Sequence, residues 1–199
     1  MDEALIRLGM PVPDSALARR ARELIADVAA PFLVNHSVRV YAWAVELAGH
    51  DRLQFDAEIL YVSAMLHDIG LVPAHDLGGC YEVDGAIAAE RLVDEAGEPE
   101  ARAQAIHDVI GLHNDETLPP DPASEVVLLW DAAGTDVTGH LRRRPTGDHP
   151  RIACRVSAAR FQATVQRARR RSSVAQADLP GCGDDRLGHT RRDRAGAVR

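Results

Sequence analysis

Apolar side chains recur every three or four residues along most of this chain, the spacing that places them on one face of an α-helix. Proline, glycine and capping residues separate the apolar runs, as expected between helices. Helices are predicted at about residues 15–29, 35–49, 56–70, 82–96, 99–112, 121–141 and 150–169, with an end or a kink near Gly134 in the sixth. Because no segment alternates apolar and polar residues as a half-buried strand does, the pattern predicts an all-α protein.

The run from Ile59 to Leu66 differs from the others because it is apolar nearly all round. Such a run predicts a buried central helix. It ends in His67 and Asp68, and burying an imidazole and a carboxylate is costly unless they are paired or bind a metal. Two interpretations stay open: a hydrogen-bonded His-Asp pair that closes a core helix, or a metal site with one nitrogen and one oxygen ligand.

Composition and charge indicate one helical domain followed by a basic tail. With 199 residues, 46% of them hydrophobic, the chain can form a single domain, which we expect at residues 1–170 with its core at about 30–140. The chain has no Lys; residues 1–137 contain 8 Arg against 25 Asp and Glu, whereas residues 138–199 contain 15 Arg against 5 Asp. The acidic body argues against a nucleic-acid surface there. Residues 171–199 lack periodicity and are predicted to be a disordered basic tail.

The absence of a recognisable targeting signal and the number of cysteines indicate the cellular compartment. No apolar run approaches the roughly 20 residues of a membrane span, and Met1-Asp2-Glu3 lacks the basic start of a secretory signal. The three cysteines, Cys80, Cys154 and Cys182, are odd in number and not in CxxC spacing, which favours reduced thiols. We therefore expect a cytoplasmic protein with no membrane partner.

Histidines and acids recur at the edges of the predicted helices. His36 lies near the start of one helix, His67 lies at the end of another, and Asp136 follows the break at Gly134. Groups at the ends of separate helices can converge on one ion. A lone histidine on a helix is more often a satisfied polar residue than a ligand, so the combination is the stronger signal.

The order of these residues resembles that of the HD-domain superfamily of metal-dependent hydrolases, in which a His, a later His-Asp pair and a distal Asp lie on a helical bundle around one or two divalent metals. The matching residues here are His36, the pair His67-Asp68 and a distal Asp. The segments at 35–41, 66–70 and 82–86 (NHSVRVY, LHDIG and EVDGA) are similar to motifs of the cyanamide hydratase-like branch. The resemblance implies an HD-domain helical bundle with a divalent metal site.

Two ligand choices remain open within this resemblance. Asp131 follows the apolar run 126–130, which favours burial, whereas Asp136 lies in an Asp-Val-x-Gly segment similar to the Asp-Asn-x-Gly segment of the branch. We predict Asp136 as the ligand, with helix capping as its alternative role. His113 matches the corresponding segment of the branch better than His107, so His113 is predicted to line the site and His107 to lie at the surface. We expect one divalent ion, either zinc, iron, manganese or cobalt, held by His36, His67, Asp68 and Asp136.

Three further residues have candidate roles. Glu82 and Asp84 follow the metal pair and could move protons, or they are acids favoured at a helix N-terminus by its dipole. Arg39 lies three residues after His36 and so shares its helix face. Arg39 would line the substrate site by holding an anion or, as we favour, would pair with a core carboxylate.

The expected chemistry is attack by water. Two His and two Asp leave coordination positions open for water, and the metal lowers the pKa of that water. The main hypothesis is a hydrolase acting on a small molecule. The alternatives are a lyase that hydrates a nitrile such as cyanamide, and a non-catalytic helical signalling or binding module. Phosphate substrates usually need a cluster of basic groups, which residues 1–137 do not supply in number.

Overall fold

The computed structural model describes residues 2–139 of the chain. Within these residues the chain forms seven α-helices and one 3-10 turn, and no strand. The elements are α1 (Asp2–Arg7), α2 (Ala16–Val28), α3 (Pro31–Asp51), α4 (Ala57–Leu66), the 3-10 turn (Ile69–Leu71), α5 (Tyr81–Glu95), α6 (Glu100–Leu112) and α7 (Ser124–Thr138). The all-α prediction is confirmed.

Helix α4 is the centre of the bundle. It packs against α2, α3, α5, α6 and α7, and residues 60–70 are buried without exception. Asp56 caps its start by accepting hydrogen bonds from the backbone N–H groups of Glu58 and Ile59. A buried central helix was the expected structure here, but α4 ends at Leu66 instead of Gly70 and the chain then continues into the 3-10 turn.

The bounds of two helices differ from the sequence pattern for identifiable reasons. Helix α3 begins at Pro31 and not at Asn35. Proline suits the first helical position because its missing N–H would have no helical partner there, so Pro31 starts a helix as well as ending the preceding one. Helix α7 continues through Gly134 without a break and ends where Gly139 adopts a left-handed φ of 74°.

The short helix α1 does not follow from the apolar pattern, and a polar cluster ties it to the core. The hydroxyl of Tyr61 donates to Asp2 Oδ1 at 2.7 Å, and Arg22 pairs with the other oxygen of Asp2. Tyr41 packs edge-on against Tyr61 with 5.0 Å between ring centroids. A charged residue near the start of the chain thus fixes α1 against α2 and α4.

Several expectations concern residues beyond Gly139. The predicted last helix at 150–169 and the predicted tail at 171–199 lie outside the described residues, so these assignments and the domain bounds stay predictions.

Two findings bear on thiols and membranes. Cys80 is disulfide-bonded in the structure, which differs from the expectation of reduced thiols. No helix in the described part combines the length and the apolar character needed to span a membrane.

Candidate metal centre

The His-Asp pair lies in a turn that packs closely against α5 and has room only for glycine at position 70. His67 follows the last residue of α4, and Asp68 precedes the 3-10 turn. The first turn of α5 packs so closely here that a Cβ atom on Gly70 would lie 2.1 Å from the carbonyl oxygen of Tyr81. Gly85 faces the same turn, and a Cβ there would lie 3.2 Å from the carbonyl oxygen of His67. These two glycines bring α5 against the pair.

Three of the predicted ligands converge. His36 from α3, His67 and Asp68 each offer one ligand atom, and these atoms all lie within 4.8 Å of one another. The Nε2 atoms of His36 and His67 are 3.1 Å apart, and each is 3.5 Å from Asp68 Oδ2. All three residues are buried, with exposures of 1%, 0% and 6%.

The hydrogen bonds on the other side of each ring determine which nitrogen carries the proton. His67 Nδ1 lies 2.9 Å from the carbonyl oxygen of Ala64, which can only accept, so Nδ1 is the protonated nitrogen. His36 Nδ1 lies 2.7 Å from Asp136 Oδ2 and donates to it in the same way. In the neutral rings both Nε2 atoms therefore carry lone pairs, and these face each other across 3.1 Å.

A divalent cation fits this arrangement. Facing lone pairs repel unless a proton or a cation lies between them, and the adjacent Asp68 supplies a carboxylate oxygen. Two nitrogens that each bind one ion at about 2.1 Å are about 3.0 Å apart at a ligand angle of 90° and about 3.4 Å apart at the tetrahedral angle, and the observed separation lies between these values. Burial lowers the pKa of His67 to about 3, although the charge of Asp68 opposes this shift, so the ring is neutral and able to ligate at neutral pH.

Asp136 lies on the far side of His36 from this cluster. Its Oδ2 accepts from His36 Nδ1 and from Arg39 Nη2, and its Oδ1 accepts from Arg39 Nε, each at 2.7 Å. Burial would raise the pKa of the Asp136 carboxyl, but the hydrogen bonds from His36 and Arg39 hold it below its ordinary value. Direct ligation of a metal by Asp136 stays a prediction. To ligate the ion, the carboxylate would have to leave both His36 and Arg39.

Arg39 pairs with a buried carboxylate, the role that the sequence favours over holding a substrate anion. Its side chain is 12% exposed and binds Asp136 through Nε and Nη2 in a two-point contact. Its partner, Asp136 on α7, is itself a predicted site residue. The sequence alone does not reveal that these two residues pair.

His113 faces the second oxygen of Asp68. Its Nε2 lies 3.5 Å from Asp68 Oδ1, its Nδ1 donates to the carbonyl oxygen of Ile110 at 2.6 Å, and its ring packs edge-on against His67. The side chain is 3% exposed. His107 instead pairs with Glu90 at 3.4 Å and is 29% exposed. Of these two histidines, the structure brings His113 to the cluster.

The two candidate proton carriers have different surroundings. Glu82 is buried in the first turn of α5, and its Oε1 accepts a hydrogen bond from Asn114 Nδ2 at 3.1 Å. Asp84 Oδ2 accepts from the backbone N–H groups of Leu77 at 2.9 Å and Gly79 at 3.4 Å. Asp84 thereby anchors the loop that precedes α5.

Asp131 and Asn114 are two further polar residues with a bearing on the candidate site. Asp131, the other candidate for the distal ligand, is 1% exposed on α7, and its backbone carbonyl accepts from the hydroxyl of Thr135. Asn114 is a residue that sequence reasoning missed. Its position directly after His113 is the signal that could have indicated it.

Comparison with known families agrees with this geometry. The HD domain model matches residues 33–156, which is more than half of the chain. The chain belongs to the HD domain family. The resemblance noted in the sequence is thereby confirmed, and the matched range includes His36 and the pair His67-Asp68.

Two curated relatives show a similarity to individual proteins as well as to the family. Cyanamide hydratase DDI2 and cyanamide hydratase DDI3 from Saccharomyces cerevisiae are each 36% identical to this HD domain protein over 120 residues. The alignments cover 56% of this chain and 52% of each relative. The chain therefore spans about half the length of the curated relatives it matches.

Proposed function

We propose that this HD domain holds one divalent metal ion through His36, His67 and Asp68 and uses it to add water to a small, uncharged molecule. The observation that carries the proposal is the 3.1 Å separation of His36 Nε2 and His67 Nε2 beside the buried carboxylate of Asp68, in rings whose Nδ1 atoms each have an acceptor. Mixed nitrogen and oxygen ligands suit zinc, iron, manganese or cobalt. A divalent ion here would lower the pKa of water toward neutrality and polarise the bond under attack.

The surrounding residues have roles that follow from their contacts. Glu82 is the residue we assign to proton transfer, because it is a buried carboxylate with one oxygen held by Asn114. Asp84 is assigned to holding the loop before α5, since its contacts go to backbone N–H groups of that loop. His113 borders the site through its contact with Asp68 Oδ1.

The charge of the site favours an uncharged substrate. Phosphate esters are usually bound by clustered basic groups, whereas Arg39, the arginine beside His36, binds both oxygens of Asp136. Residues 1–137 contain 8 Arg and no Lys. A nitrile is a small uncharged substrate, and the names of the two relatives point to cyanamide. Adding one water molecule across the carbon–nitrogen triple bond of cyanamide gives urea.

A parallel assay tests the proposal. Purified full-length protein would be loaded with each candidate metal and incubated with cyanamide and with a panel of phosphate esters, measuring urea and inorganic phosphate. We expect urea from the loaded protein. Release of phosphate without urea would support the hydrolase alternative, and neither product would favour a non-catalytic binding module.

A matched pair of histidine variants tests the metal site itself. H67Q removes a ligand nitrogen from the buried cluster, whereas H107Q alters a histidine that is paired with Glu90 outside the cluster. We expect H67Q to lose metal retention and activity while H107Q keeps both. Equal metal content in the two variants, measured by elemental analysis, would show the assignment to be wrong.

A further inference from the structure

Resting on the proposed metal site, we propose that Asp136 and Arg39 are positioning residues: together they hold the ring of His36 with Nε2 directed at the metal, and Asp136 does not itself ligate the ion.

The first support is the number of contacts that hold Asp136. Both of its oxygens are committed, one to Arg39 Nε and the other to both Arg39 Nη2 and His36 Nδ1, with all three distances at 2.7 Å. The side chain of Asp136 is 5% exposed and that of Arg39 is 12% exposed. A buried two-point ion pair of this kind fixes the orientation of the carboxylate as well as its position.

The second support is the position of the ring. Nδ1 and Nε2 lie on different edges of the imidazole, so the ring of His36 separates Asp136 from the cluster formed by His36 Nε2, His67 and Asp68. An acceptor at Nδ1 keeps the proton on that nitrogen, leaves Nε2 as the ligand atom and limits rotation of the ring. Asp136 therefore acts on the metal through His36.

The third support is the helix geometry. His36 and Arg39 are three residues apart on α3 and so lie on one helix face. Helix α7 packs against α3 and brings Asp136 to both side chains at once. The same packing makes the orientation of His36 depend on α7, a helix that then contributes to the site without supplying a ligand.

Metal affinity separates positioning from ligation. In full-length protein we would compare D136N and R39K with D68N, which alters a ligand, using competition with a chelator for zinc. We expect D136N to weaken zinc binding about 10- to 100-fold, as loss of such an outer partner typically does, and R39K to weaken it in the same direction. D68N should abolish retention. If D68N kept zinc, the proposed site itself would fail, independently of the role of Asp136.

Two results would overturn the positioning role. If D136N lost zinc as completely as D68N, Asp136 would be a ligand. If D136N bound zinc as tightly as the wild-type protein, Asp136 would have no role in metal binding. A second readout is the ¹⁵N spectrum of the His36 ring in the zinc-loaded protein. We expect protonated Nδ1 in wild type and a weakened Nδ1 hydrogen bond in R39K, which keeps the charge but loses the two-point contact. An unchanged His36 signal in R39K would count against the proposal even if D136N failed to fold.

Discussion

Tyr41 and Tyr61 show, at the scale of single residues, how this fold buries polar groups with their partners. The Tyr41 hydroxyl donates to the carbonyl oxygen of Pro11, and the Tyr61 hydroxyl donates to Asp2. Burial raises the pKa of both phenols above the ordinary value, and the carboxylate of Asp2 raises that of Tyr61 further. Their ionisation is therefore linked to unfolding.

The sign of this linkage gives a prediction for alkaline pH. An unfolded chain releases phenolic protons near pH 10, whereas the folded chain keeps them to higher pH. The contribution of the two protonated phenols to the free energy of unfolding is therefore complete below about pH 10 and is lost as the pH rises further. We expect the free energy of unfolding to fall between pH 9 and pH 11. Absorbance near 295 nm should show that at least two tyrosines ionise only as the helical circular dichroism is lost. Ionisation of all three near pH 10 in protein that stays helical would contradict this burial.

At this scale the sequence indicates which residues meet but not always how they act. His36, His67 and Asp68 are predictable because an ordered His, His-Asp set follows an apolar run, and burial of such groups calls for compensation. The arrangement of Asp136 depends on a contact across 97 residues to Arg39. A local pattern cannot distinguish a ligand from a residue that holds a ligand, since both are buried acids near the end of a helix.

At the scale of elements, the contact between α5 and the turn after α4 sets the shape of the site. A Cβ on Gly70 would meet backbone atoms, at 2.1 Å from the Tyr81 carbonyl oxygen and 2.9 Å from the Gly85 nitrogen, and backbone cannot rotate away as a side chain can. We expect G70A to displace α5 and to lower the free energy of unfolding by about 1–3 kcal/mol or more. Because Glu82 lies in the displaced turn, activity should fall as well.

Gly111 provides the matched control for this prediction. It lies within α6, and a Cβ there has nothing within 4 Å. G111A should raise stability by about 0.5–1 kcal/mol, because alanine favours a helix over glycine. Chemical denaturation of both variants measures the difference. A G70A protein as stable as G111A would show that α5 does not contact the turn as closely as the structure places it.

The elements themselves were predictable where capping and periodicity agree. Asp56 starts α4 and Ser15 caps α2, as their side chains suggest. The pattern fails for α1, whose six residues span fewer than two helical turns and so cannot repeat an apolar spacing, and whose position depends on the distant partners Arg22 and Tyr61. It also fails at Gly134, because packing of α7 against α3 outweighs the low helix propensity of one glycine.

At the scale of the whole molecule, the metal centre joins parts of the chain that are distant in sequence. His36 comes from α3, the His-Asp pair from the end of α4, and the Arg39–Asp136 contact links α3 to α7. These are long-range contacts that the unfolded chain does not make. An ion bound at the centre therefore stabilises the folded state of the bundle as a whole.

This coupling predicts that removing the metal lowers the melting temperature. An ion present at about 100 times its dissociation constant stabilises the folded state by about 2.7 kcal/mol. For a chain of this size such a gain corresponds to roughly 5–10 °C in melting temperature. Chelator-treated protein should therefore unfold earlier than reloaded protein in calorimetry, and H67Q should show no response to added metal. If chelated and reloaded wild-type protein melted together, three buried polar groups would be compensated by protein contacts alone, and the centre would be a hydrogen-bonded cluster instead of a metal site.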